Sequence, residues 1–178
     1  MATFCNQTLS GLGLSCETSL GGIKEVYIAN YADVSKVTLD EVSGEITDIE
    51  MVGEAKFMPY SFRKQTGSMT STLNVDETNG VNYVSTELNL VFTKLETVKR
   101  VQMSALSQGQ LAVIVKDSNN KYWYLGYDDY VSATAGTGET GTAKGDRNAY
   151  TITLRDESDT YPYNVQESAV SPVMGTLA

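Results

Sequence analysis

The chain has 178 residues, enough for one well-buried domain, and its 13 Lys and Arg against 22 Asp and Glu leave a net charge of −9, which argues against an open surface that grips nucleic acid. It contains no His. That excludes His-based triads, His general acid/base catalysis and most zinc or iron sites, leaving carboxylate, Lys, Tyr, Cys or Ser chemistry.

In chain order, residues 1–21 are small and polar, with Gly11, Gly13, Gly21, Gly22 and the single charge Glu17; they predict an N-terminal arm. Cys5 and Cys16 lack a C-x-x-C spacing, and two free thiols from a reducing cytoplasm are preferred over a disulfide. The start has no basic or apolar signal region, so no secretory leader or membrane span is expected, and the sequon at Asn6 lacks a route to modification. Strands are expected over Ile23–Ala29, Val34–Leu39 and Ile46–Val52, the last with an ambiguous inward face. Lys56–Arg63 is demoted to an edge or bulged strand by Pro59.

The strongest local signal is a long hairpin, Gly67–Asp76 and Val81–Phe92, joined by Glu77-Thr78-Asn79-Gly80. Ser68, Thr70, Thr72, Asn74 and Asp76 share a polar face of its first strand; on the second, Val84, Thr86, Leu88, Leu90 and Phe92 oppose Tyr83, Ser85, Glu87, Asn89 and Val91. Between Lys64 and Lys94 there is no Lys or Arg, and the only charges are Asp76, Glu77 and Glu87. Such a face suits DNA that passes without adhering, because each neutralised phosphate adds affinity; an ordinary half-exposed sheet explains it equally well.

A helix is expected over residues 94–107, opened by a capping box at Thr93 and Glu96 and buried along Leu95, Val98, Val101, Ala105 and Leu106. Leu111–Lys116 and Tyr122–Tyr127 form a second hairpin, whose Tyr122, Trp123 and Tyr124 suit cross-strand packing better than stacking on sugars or bases. Residues 128–148 read as a long Gly- and Thr-rich loop, Ala149–Glu157 as a strand with Tyr150, Ile152 and Leu154 on one face, and residues 164–178 as a C-terminal arm, leaving residues 22–163 as the single domain.

No motif carries chemistry. Gly136–Gly141 matches G-x-G-x-x-G by letter but precedes a strand instead of opening a helix. Asp128-Asp129 and Asp156–Asp159 offer oxygen ligands without calcium-loop spacing. No catalytic, cofactor or metal residue is expected.

The order of elements resembles the major tail (tail tube) proteins of long-tailed bacteriophages, most closely those infecting gut Bacteroidota, in the segments Phe62–Leu73, Lys94–Ser107, Lys121–Gly126 and Tyr150–Leu154. The resemblance implies a mainly β fold, a β-sandwich or partly closed barrel with one flanking helix and a long hairpin. It implies hexameric rings stacked into a tube in the virion, assembled in the host cytoplasm, with tape-measure and other tail proteins as partners, genome DNA as transiting cargo, and no membrane. Ser68, Thr70, Thr72, Asn74, Asp76, Glu77, Ser85, Glu87 and Asn89 would line the bore, whose acids would contribute about −18 per ring if three ionise in each of six copies. Tyr130, Thr137, Glu139, Lys144, Arg147, Tyr161 and Tyr163 would contact other subunits. The alternatives are a carbohydrate- or host-binding β-sandwich using Tyr122, Trp123, Tyr124 and Tyr127, or another virion protein such as a decoration or tail terminator protein.

Overall fold

A computed structural model describes residues 10–177; Cys5 and the sequon at Asn6 lie outside them. The fold is mainly β, with two sheets and few helices. Its strands are β1 (Ile23–Asn30), β2 (Val34–Asp40), β3 (Glu45–Met51), β4 (Met58–Tyr60), β5 (Gly67–Asp76), β6 (Val81–Thr93), β7 (Leu111–Asp117), β8 (Tyr122–Leu125), β9 (Ser132–Glu139), β10 (Ala149–Ser158) and β11 (Tyr163–Val165). The helices are α1 (Thr97–Gln108) and the short α2 (Glu167–Val170). A seven-stranded sheet runs β2-β3-β11-β8-β7-β1-β4, and a four-stranded sheet runs β5-β6-β10-β9.

Two hydrophobic cores hold these layers. Val26 and Ile28 of β1, with Val113 and Val115 of β7, face Leu88 and Leu90 of β6 and Ile152 and Leu154 of β10, so the first core joins the two sheets. The opposite face of the larger sheet sends Ala112, Ile114, Tyr122 and Tyr124 into a second core with Ile46, Ile49 and Phe57. β7 is therefore buried on both faces over Leu111–Val115, which is why its sequence is an unbroken apolar run.

The C-terminal segment corrects the expectation of an arm. β11 inserts between β3 and β8, and Val165, Ala169, Val170 and Val173 close the second core. Phe57 N–H donates to the Val173 carbonyl, and Gly175 N–H donates to the Phe57 carbonyl. Four apolar residues without a regular period were enough, because the segment packs as a short strand, one helical turn and a 3-10 turn in succession.

The ambiguity of β3 has a structural cause. Ile46 pairs with Leu39 and Asp48 with Thr38, so Thr47 is an extra residue. This bulge lets Ile46 and Ile49, which strict alternation would place on opposite faces, both point inward.

The helix begins three residues later than expected. Thr93 remains in β6, Lys94 takes a left-handed φ of 71°, and Glu96 occupies the N-cap without a side-chain capping bond. No capping box forms; the Glu96 carboxylate instead pairs with Lys94 at 2.6 Å and Lys99 at 3.1 Å. The expected stripe holds at Leu106 and fails at Val98 and Val101. Val98 and Val101 are 73% and 50% exposed, while Met103 and Leu106 pack into the first core, because the helix rests on β9 and β10 with a different face.

Candidate functional site

The four-stranded sheet buries one face and presents the other. Ser68, Thr70, Thr72 and Asn74 of β5 stand opposite Asn89, Glu87, Ser85 and Tyr83 of β6, forming a polar outward face as the alternation of both strands predicts. β10 continues it with Thr153, Arg155 and Glu157 beside Asn89, Glu87 and Ser85. A shallow concavity of about 300 Å³ opens between Thr70, Thr72, Asn74, Tyr83, Ser85, Glu87, Arg155 and Glu157.

Arg155 changes the electrostatics expected of this face. Its Nη2 donates to Glu87 Oε1 at 2.6 Å, and its Nη1 lies 4.0 Å from Glu157. The hairpin itself carries no cation, but the neighbouring strand adds both Arg155 and Glu157 to the face, so Glu87 is paired while the net count of three negative charges per copy is unchanged. The pair is exposed on both sides and contributes little to stability.

Asp76 and Glu77 sit together at the hairpin tip. Asp76 builds the turn by accepting from the backbone N–H of Thr78 and Asn79 and from Asn79 Nδ2, and the Asn79 donors hold its carboxyl below the usual range. Gly80 supplies the positive φ of 66°. The β6–β10 ladder stops at Val84 and Ser158, while the β5–β6 ladder runs on to Asp76 and Val81. The tip therefore overhangs the sheet, and Leu73, Val75, Val81 and Tyr83 around it are exposed.

The candidates for subunit contact divide into two groups. Residues 132–139 of the expected loop are β9, an outer strand paired only with β10; Thr137 and Glu139 belong to it. Arg147 pairs with Glu139 at 2.6 Å, and Lys144 is exposed in the remaining loop. Tyr161 is also exposed. Tyr163 is instead held within the chain, its ring 4.8 Å from that of Tyr127, while Tyr130 packs edge-on against Tyr31 at 6.4 Å and stays exposed. A groove of about 430 Å³ follows β9 between Ala133–Gly138 and the α1 residues Arg100, Met103, Ser104 and Ser107.

Other sequence features take structural roles. Gly136–Gly141 lies along and just beyond β9, where no helix N-terminus follows it. Tyr122 and Tyr124 are buried, and Trp123 Nε1 donates to Asp117 at 3.1 Å, so this hairpin offers no aromatic stacking platform. Asp128 and Asp159 do converge, through the Asp159 N–H donating to the Asp128 carboxylate at 3.2 Å. Among the described residues, however, no group of three or more acidic or Cys side chains is placed to hold a metal ion, and no helix is long and apolar enough to cross a membrane.

Asp156 is a buried acid that the alternation of β10 places inward with Ile152 and Leu154. It is 3% exposed and accepts one hydrogen bond, from Gly126 N–H at 3.1 Å. Burial, with added repulsion from Asp128, Asp129 and Glu157, pushes its carboxyl up to about 6. Gly126 has a φ of 94°, and a Cβ there would lie 3.3 Å from the Leu111 carbonyl, so glycine is required.

Arg155 and Glu157 are the members of the polar face that local sequence could not supply. Their alternation against Ile152 and Leu154 places them on an outward face, but only the tertiary pairing of β10 with β6 brings them beside Glu87. Comparison with known protein families, curated proteins and solved structures returned no match.

Proposed function

We propose that this chain is a structural protein that closes into rings through the two edges of its four-stranded sheet, and that the rings stack as a phage tail tube. The observation that carries this is the pair of outer strands. β5 and β9 are ten and eight residues long, and neither contains Lys, Arg or Pro, the residues that ordinarily protect a sheet edge from pairing. All three pairings within the sheet are antiparallel, so β5 and β9 run in opposite directions. When copies are related by rotation, β5 of one meets β9 of the next as an antiparallel ladder, a head-to-tail contact that makes a ring when the rotation closes.

The register supports closure. Gly136 shares a row with Ile152, Leu90 and Gly67, so overlapping β5 and β9 fully requires a slip of about four residues across four strands. About one residue per strand, with a rise of about 3.3 Å and a strand spacing of about 4.8 Å, gives a tilt of about 35°, within the range of closed barrels. That overlap places Leu73 beside Thr134 at the groove under α1, where its exposed side chain gains cover. With the six copies that the resemblance implies, the barrel has twenty-four strands, the polar face lines the bore, and no part of the chain is asked to do chemistry. A sugar-binding role loses its platform to the burial of Tyr122 and Tyr124.

Sedimentation velocity and negative-stain microscopy over a concentration series test the proposal. Closed rings and tubes are expected at high concentration, and a single-chain species at every concentration would overturn it. In an edge strand alternate N–H groups point outward, so of Gly136→Pro and Thr137→Pro, one removes an inter-copy donor and is expected to abolish ring formation.

A further inference from the structure

The strands of the four-stranded sheet end in two surfaces of opposite charge. At the end where β5 and β10 begin and β6 and β9 finish stand Arg63, Lys64, Lys94, Lys99, Lys144 and Arg147, against the acids Glu96, Glu139 and Asp146. Backbone contacts hold these segments together: Lys94 N–H donates to the Asn148 carbonyl, and Thr66 Oγ1 donates to the Val91 carbonyl. Six cations against three acids make this end positive, and Lys64 and Lys144 make no ion pair among the described residues.

At the opposite end stand Asp76, Glu77, Asp128, Asp129 and Asp159, and among the described residues these strand ends and their loops hold no Lys or Arg beyond Arg155, which already faces Glu87 and Glu157. Burial, with repulsion from the adjacent Asp159, holds the Asp128 carboxyl above its ordinary range, against the opposing effect of the Asp159 N–H that donates to it. The hairpin tip overhangs this end and exposes Val75, Val81 and Tyr83, apolar surface projecting along the strand direction.

We infer that the acidic end, led by the tip at Glu77, docks on the basic end of a second copy, so that successive rings are joined along the tube axis by opposite charge. This rests on the ring reading above and adds to it the axial contact: lateral edges close the ring, and strand ends stack it. In a barrel with strands tilted by about 35°, strand ends face up and down the axis, so head-to-tail stacking brings each acidic end onto a basic one. Complementary charge of this kind fixes the polarity of the stack, because head-to-head contact sets like charges against each other.

Two paired variants and a salt series test the inference. Glu77→Lys with Asp129→Lys and Asp159→Lys turns the acidic end net positive, so that both ends of a ring are positive; Lys64→Glu with Lys144→Glu makes both ends negative. Each alone is expected to give rings without tubes at about 50 mM salt, and mixing the two is expected to restore tubes. For the unmodified chain, raising salt to about 1 M shortens the screening length to about 3 Å, and the concentration needed for tubes is expected to rise on the order of tenfold. Tubes from either variant alone, failure of folded variant rings to assemble when mixed, or unmodified tubes indifferent to salt would each overturn the axial inference while leaving the rings standing. An unmodified chain that forms no rings at all defeats both.

Discussion

The two sheets of this protein treat their edges and faces in opposite ways. The seven-stranded sheet is buried on both faces along β7, and its edges are guarded: β4 is three residues long with Pro59 at its centre, and β2 carries Lys36, which lies 3.9 Å from Glu50. The four-stranded sheet has one polar face and two long edges without Pro or cation. Guarded edges keep a sheet within one chain, and unguarded edges leave it open to pairing with another, as the proposed ring requires. The difference separates the part of the molecule that stabilises it from the part available for assembly.

The largest expected effect lies on the closed side of that divide. Deleting residues 164–177 strips Val165, Ala169, Val170 and Val173 from the second core and is expected to unfold the protein, seen as loss of a cooperative thermal transition. Ile114→Ala, at a side chain with no exposure, is expected to cost about 2–5 kcal/mol in denaturant melts. If either change left stability intact while blocking assembly, the division of labour between the sheets would fail.

A smaller effect probes the seam between the two sheets. Because the Asp156 carboxyl sits at about 6 in the folded chain and near 3.9 when unfolded, the folded state binds the extra proton between these values. Stability therefore falls as pH rises through that window, by about 1 kcal/mol between pH 5 and pH 7 from this group, and is flat in it above pH 7. Asp156→Asn is expected to remove that slope from denaturant melts across the same range; an unchanged slope would assign it elsewhere.

The smallest effect on stability is expected on the open side. Leu73→Ser with Val75→Ser, at side chains that are 49% and 57% exposed, is expected to change the unfolding free energy by less than about 1 kcal/mol while weakening ring formation in sedimentation. A large loss of stability there would mean that the tip already packs within the single chain.

Local chemistry made much of the fold legible. Alternation placed Ser68–Asn74 opposite Ser85–Asn89 and sent Ile152 and Leu154 inward, and the apolar run at Leu111–Val115 marked a strand whose burial on both faces the structure then showed. The helix was visible by its period, but not its packed face, because Val98 and Met103 are both apolar and the sequence holds no record of which side meets β9. The C-terminal segment and β9 were missed for a related reason. Val165, Ala169, Val170 and Val173 have no single period, and the Gly- and Ala-rich run of β9 is held by its ladder to β10, not by intrinsic preference.

By itself the sequence determined the lack of His in this chain, the alternation of its strands, the acidic hairpin tip and the absence of Lys, Arg and Pro from Gly67–Asp76 and Ser132–Glu139. Only the tertiary structure decided that these two segments are the edges of one sheet, that Arg155 stands between Glu87 and Glu157, and that acids and cations scattered along the chain gather at opposite strand ends. The physical reason is that side-chain alternation is set by each strand's own backbone, whereas neighbours, edges and ends are set by pairing between residues far apart in sequence.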